Sequence, residues 1–209
     1  MANNYNRIAK YYDTLSRVIY QRAIIKAQVF LIQFVKDNDN ILLVGGGTGW
    51  ILEELSKMQK KNVSVVYVEK SAAMVKLAKK RTAPNIKTTF ILQPVEYYLS
   101  SERFDVIITP FLFDNFKKNK INILFTKLDV FLKPRGIWLY ADFVNDSTQK
   151  KIWQRLLLKT MYKFFRLTAD IETQQLVDMK PYFKKKYQLL TEQLYYKKFI
   201  QALAYRKTG

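Results

Sequence analysis

Residues 41–50, ILLVGGGTGW, narrow the folds open to this chain more than any other stretch of it. An apolar run that empties into glycines reads as a strand followed by a tight turn, because glycine lacks a Cβ, tolerates positive φ and lets a ligand approach the backbone. A helix starting at about Trp50 would offer its unpaired N–H groups to that ligand. A second apolar run ends on Glu69. A carboxylate about 20 residues beyond such a turn, at the tip of the next strand, suits the two hydroxyls of a ribose. The loop and the acid together predict a nucleoside-containing cofactor.

The glycine spacing then selects among cofactors. A dinucleotide fingerprint requires G-x-G-x-x-G; counted from Gly45 that register ends on Trp50, and counted from Gly46 it fails at Thr48. A phosphate loop closes on Gly-Lys-Ser/Thr, and no such tripeptide follows. What remains is G-x-G-x-G, at Gly45, Gly47 and Gly49.

The rest of the chain alternates. Strands are expected at 41–45, 63–68, 88–92, 104–109 and 136–143, and helices at about 50–60, 72–81, 94–100 and 115–131. Strand and helix in turn predict an α/β fold with a parallel sheet covered on both faces. Asn62, Pro84, Asn85, Pro134 and Gly136 punctuate the connections. Residues 8–35 read as helical, with Ile19, Ala23, Ala27 and Leu31 at i,i+4 steps. Beyond Asp142 the pattern changes to a basic amphipathic helix at 149–166, with Trp153 and Phe165 on its apolar face. Two tyrosine-rich strands, 187–195 and 198–205, follow as a hairpin. At 209 residues the chain is expected to be one domain, with a helical lid (1–37), a cofactor-binding core (38–147), and lid helices with a terminal hairpin (148–209).

The loop, Glu69 and the paired final strands resemble the class I S-adenosylmethionine-dependent methyltransferases. That resemblance implies a Rossmann-like fold with a seven-stranded, mostly parallel sheet in the order 3-2-1-4-5-7-6. It also implies S-adenosyl-L-methionine as methyl donor and S-adenosyl-L-homocysteine as product. Gly45, Gly46, Gly47, Thr48 and Gly49 would carry the methionine part. In the segment VYVEKSAAMVKLAKKR, Glu69, with Lys70 beside it, would bind the ribose, and Met74 would lie on adenine or pack in the core. Ser71 would cap the helix that follows. Gln93 and the backbone of Val95 would meet the adenine edge, and Thr109 would stand at the end of the fourth strand. Two departures stand out: Leu43 where many relatives carry an acid, and Gln93 where a carboxylate is commoner. YNRIAKYYDTLS (5–16) is similar to the opening of quinone-biosynthesis and phospholipid-type methyltransferases, in which a Tyr-Asp pair, here Tyr12 and Asp13, introduces a helix over the cofactor. Thr109-Pro110-Phe111 lacks the first polar residue and second proline of the amino-group methyltransferase signature, so no amine chemistry is inferred from it.

Composition limits the catalyst. The chain has no cysteine and no histidine, which excludes disulfides, ordinary zinc sites and Ser-His catalysis. Any general base must be Asp, Glu, Tyr, Lys or water. Asp114, just past the fourth strand, and Asp142, at the end of the fifth, are the candidates; Asp114 is alternatively a cap for a helix starting at Asn115. Phe111, Phe113 and Tyr12 are candidates for cation–π contact with a sulfonium.

Thirty-six Lys and Arg against 17 Asp and Glu give a formal charge of +19, which favours anionic partners. The favoured acceptor is a small, partly apolar molecule. A tRNA or rRNA substrate is a less favoured alternative, motivated by the basic C-terminal third. A non-catalytic cofactor-binding or membrane-surface protein, with helix 149–166 on anionic lipid, is a third. No signal-type or spanning apolar run is present, so a cytoplasmic protein is expected. Acceptor atom and oligomeric state are left open.

Overall fold

The computed structural model describes residues 23–144 and 176–209. The expectations for Tyr12, Asp13 and helix 149–166 lie outside the described residues.

One seven-stranded sheet in the order β3-β2-β1-β4-β5-β7-β6 organises everything described. Its strands are β1 (Asn40–Val44), β2 (Val63–Glu69), β3 (Ile86–Leu92), β4 (Phe104–Pro110), β5 (Leu132–Phe143), β6 (Tyr187–Tyr195) and β7 (Ile200–Lys207). β1 to β5 pair in parallel, whereas β7 runs antiparallel to both β5 and β6. β1 is central and its Ile41, Leu42 and Leu43 are fully buried, as a strand covered on both faces requires. Alternate side chains feed two clusters. Ile41, Leu43, Val65 and Ile108 face one layer; Leu42, Val44, Ile107 and Trp138 face the other.

Helices α1 (Ala23–Ile32), α2 (Trp50–Lys57), α3 (Ala72–Ala78) and α4 (Lys118–Phe131) cover these faces, with a short α5 (Lys180–Lys184) before the hairpin. α1 packs over β5 and β7 and touches α2. Ser71 caps α3 as expected, its Oγ accepting from the Met74 N–H at 3.3 Å. The chain order reverses direction at β1, which lies between β2 and β4. A crevice opens beyond the carboxyl ends of strands at such a switch point.

Four local expectations change. Residues 94–100 form turns, with Tyr97 N–H to Pro94 and Tyr98 N–H to Val95 carbonyl bonds that never lengthen into an α-helix. α4 begins at Lys118, not at 115, and Asp114 sits inside a single 3₁₀ turn (Phe113–Asn115), so it does not cap α4. β5 begins at Leu132: Pro134 and Gly136 mark a bulge, where the register jumps from Phe104↔Leu132 to Val106↔Ile137 and Arg135 takes a φ of 63°. α5, with Pro181 at its start, was not expected at all.

Candidate active site

The cleft at the switch point is built first by the loop after β1. Gly45, Gly47 and Gly49 have φ values of 71°, 61° and 77°, so the G-x-G-x-G spacing matches alternate left-handed residues. Gly46 is required for space instead: a Cβ there would lie 2.5 Å from the Tyr67 ring. Tyr67 supports the loop from below, its hydroxyl donating to the Gly47 carbonyl at 2.8 Å. A Cβ on Gly47 would meet nothing within 4 Å, so this residue presents bare backbone to the cleft. Arg81 holds the far side, donating from Nε to the Thr48 carbonyl at 3.0 Å.

Glu69 is the tip of β2. Its Oε2 accepts from the Gly47 N–H at 3.2 Å and its Oε1 from the Ser71 N–H at 2.9 Å. Burial pushes its pKa up, while the Ser71 and Gly47 amides oppose that rise. The side chain is therefore fixed between two loops, and the residue borders the cleft.

Gly45, Gly46, Gly47, Thr48, Glu69, Lys70, Met74, Gln93 and Val95 all border one cavity of about 110 Å³. Four expected site residues among those described do not border it. Gly49 lies at the start of α2, packed so tightly on α3 that a Cβ would come within 2.6 Å of Ala78. Thr109 is fully buried and accepts from the Trp138 indole at 2.9 Å, because it alternates inward from the strand end. Asp114 and Asp142 sit behind the wall rather than on it. Phe113 is likewise a core residue, beside Trp138 and Tyr140, which leaves Phe111 as the described sulfonium candidate at the cleft, where Trp50 and Phe116 also border it.

Phe111 occupies an unusual backbone state. It is a non-glycine residue with a φ of 52°, held by its N–H donating to the Ala141 carbonyl at 2.7 Å and by its ring against Phe143. Strain of this kind persists only where the surroundings over-determine it. Asn115 supplies much of that determination: its Nδ2 reaches the carbonyls of Phe111 and Leu112 and the Asp114 carboxylate.

Behind this turn stand two acids. Asp142 is 2% exposed, its Oδ1 accepting from the Phe143 N–H at 2.8 Å, and the nearby Tyr140 hydroxyl and Asp114 N–H also favour its charged form. Burial raises it to about 7 against those donors. Burial, and then the Asp142 charge, push Asp114 well above its ordinary value. Gln201 lies directly across the ladder from Asp142 and is also buried.

Sequence reasoning missed Ile24 and Gln28 of α1, which border the cleft. Their i,i+4 spacing was visible, but a lone glutamine in an apolar helix carries no motif.

The sheet order is that of the class I S-adenosylmethionine-dependent methyltransferase fold, with the G-x-G-x-G loop and the acid closing β2 at its switch point. Residues 41–136 match the family model described as a methyltransferase domain. The chain is 30% identical over 145 residues to malonyl-[acyl-carrier protein] O-methyltransferase 2 of Ilyobacter polytropus, covering 69% of this chain and 54% of the relative. It is 28% identical over 156 residues to carboxy-S-adenosyl-L-methionine synthase of Nautilia profundicola, covering 73% and 64%. The chain thus spans about half the length of the first of these relatives and under two thirds of the second. Among solved structures, magnesium protoporphyrin IX methyltransferase from Synechocystis PCC 6803 with bound S-adenosylhomocysteine superposes with a TM-score of 0.66 at 13% identity, over 95% of this chain and 88% of that one. A cyclopropane synthase from Mycobacterium tuberculosis gives 0.66 at 15%, over 88% and 84%. At these identities the likeness is one of fold. Among the described residues, no helix is long and apolar enough to cross a membrane.

Proposed function

We propose that this chain binds S-adenosyl-L-methionine in the β1–β2 cleft and transfers its methyl group to a small, partly apolar molecule. The observation that carries this reading is Glu69, fixed by the Gly47 and Ser71 amides at the border of the cleft. There it would accept from both ribose hydroxyls. The bare backbone of Gly47 would lie along the cofactor, with Met74 and Val95 against adenine and Gln93 at its polar edge.

The cofactor supplies a sulfonium methyl that is already strongly electrophilic. The protein's share is chiefly orientation and exclusion of water, worth roughly 7–11 kcal/mol for well-placed reactants. Phe111 would stabilise the sulfonium by about 0.5–2 kcal/mol through its ring face. Where the acceptor must lose a proton, water in the cleft would take it first, with Asp142 and Asp114, both behind the Phe111 turn, as the acids that would receive it. The likeness to a malonyl-[acyl-carrier protein] O-methyltransferase supports including malonyl compounds among the acceptors to be screened.

Calorimetric titration with S-adenosylmethionine tests the reading. Wild type should bind, and Glu69→Ala should lose about 100-fold or more, the cost of removing a charged acceptor from two hydroxyl donors. Equal affinity in the two proteins would overturn the ribose assignment. Release of S-adenosylhomocysteine on incubation with fractionated metabolites would then identify the acceptor.

A further inference from the structure

We infer that Gln28 is the residue that grips the amino-acid end of the cofactor, an assignment that rests on the cofactor reading above. The cleft has two ends, and the topology says which is which. Glu69, Met74, Gln93 and Val95 stand at the ends of β2 and β3 or just beyond, on one side of β1. α1, which carries Gln28, packs over β5 and β7 on the other side. With the ribose at Glu69 and adenine beyond it, the methionine portion must run across Gly45–Gly47 toward α1.

The chemistry at that end is unusual. The charged residues bordering the cleft among those described, Glu69, Lys70 and Glu96, all belong to the β2–β3 side. An α-amino acid zwitterion at the other end therefore meets no described counter-charge. Two side-chain amides are present there, and they differ. Asn115 is committed to holding the Phe111 turn through three acceptors. Gln28 is only 6% exposed and borders the cleft, and its side-chain amide makes no hydrogen bond among the described residues. A buried amide without a partner is costly, and native proteins rarely leave such groups unmet.

A primary amide suits a zwitterion because it offers both an acceptor and two donors. Gln28 Oε1 accepts from the ammonium and Nε2 donates to the carboxylate, so one neutral side chain serves both charges. Ile24, one turn earlier on the same helix face, walls the methylene chain. A charged residue here would serve one group and repel the other.

The test compares two ligands that differ at this end. S-adenosylhomocysteine carries the zwitterion; 5′-methylthioadenosine keeps the nucleoside and thioether and lacks it. Calorimetry on wild type, Gln28→Leu and Gln28→Met should show S-adenosylhomocysteine weakened about tenfold in both variants, with 5′-methylthioadenosine unchanged. Unchanged S-adenosylhomocysteine affinity overturns the assignment. So does a parallel loss for both ligands, which would mean that Gln28 only packs α1 against the sheet. Loss in the branched variant alone is a packing defect and counts against it as well. A wild type that binds neither ligand overturns the cofactor reading itself, and the Gln28 assignment with it.

Discussion

Asp129 and Asp142 are both hidden from water, yet they sit in opposite electrostatic worlds. Asp129 lies near the carboxyl end of α4, where the helix dipole disfavours an anion. Burial raises its pKa, but Tyr187, Lys186 and Lys207 outweigh that and hold it below the ordinary value. The Tyr187 hydroxyl donates to Oδ1 at 2.6 Å, Lys186 Nζ lies 2.9 Å from Oδ2, and Lys207 Nζ lies 3.0 Å from Oδ1. Asp142 and its neighbour Asp114 form no ion pair with the described residues, and both are pushed up. A buried acid surrounded by cations serves the fold. A buried acid that faces another acid at the ligand edge of a sheet is where function is expected.

The contrast also bears on the net charge. Lys186 and Lys207 belong to the basic C-terminal cluster that motivates the RNA alternative, and both are engaged by Asp129. Part of that positive charge is therefore structural.

The largest effect expected from breaking this comparison is on stability. Asp129→Ala leaves the Tyr187 hydroxyl without its acceptor and Lys207 without its counter-charge, so urea unfolding should show a loss of about 3 kcal/mol. Cofactor affinity of the folded protein should stay at the wild-type level. A variant that keeps its stability but loses the cofactor would reverse the roles given to the two acids.

Asp142→Asn should do the opposite. If the acceptor is one that must lose a proton, the methyl-transfer rate should fall about 100-fold, near 2.7 kcal/mol of barrier. Its stability at pH 8 should be no lower than wild type, because a like-charge partner has gone. An equally fast variant would leave Asp142 as a structural strand-end residue only.

Stability against pH sharpens the same point. Asp142 titrates near 7 when folded and near 3.8 otherwise, so its carboxyl favours the folded state fully below about pH 4. That contribution is lost as pH rises through 7. Asp129 has the reverse sign: its contribution is present above the ordinary value and lost as pH falls below it. Wild type should therefore lose on the order of 2 kcal/mol between pH 5 and 8. Asp142→Asn should flatten much of that slope; Glu69, also raised, leaves a remainder. An unchanged slope would sink the assignment to the acid pair.

What was legible in the sequence divides along similar lines. The G-x-G-x-G loop, the acid at position 69 and the Ser71 cap depend on residues close in the chain, and the sheet order followed from the resemblance they carry. Asp114 and Asp142 were recognisable singly as acids at strand ends, but their proximity belongs to the tertiary fold. So does the Asp129 cluster, whose partners are 57 and 78 residues away. Pro134 and Gly136 misled because the same residues that end strands also mark bulges within them. Gln28 had no signal, since its meaning comes from a hydrogen bond it does not make.

The smallest effects separate the two lysines at Asp129. Lys207 is 17% exposed and Lys186 59%, although their distances to the carboxylate are nearly equal. Lys207 also reaches the Asp129 carbonyl at 2.6 Å and the Leu132 carbonyl at 3.3 Å, so it closes the end of α4 as well as pairing the acid. Lys207→Met should cost about 1–2 kcal/mol, as expected for a shielded cation with several acceptors. Lys186→Met should cost under about 0.5 kcal/mol, because water competes for an exposed pair. Raising salt should erase the Lys186 effect and leave most of the Lys207 effect. Equal losses would mean that the corner is held by charge alone, and the contrast with Asp142 would then rest on the count of cations rather than on shielded hydrogen bonds.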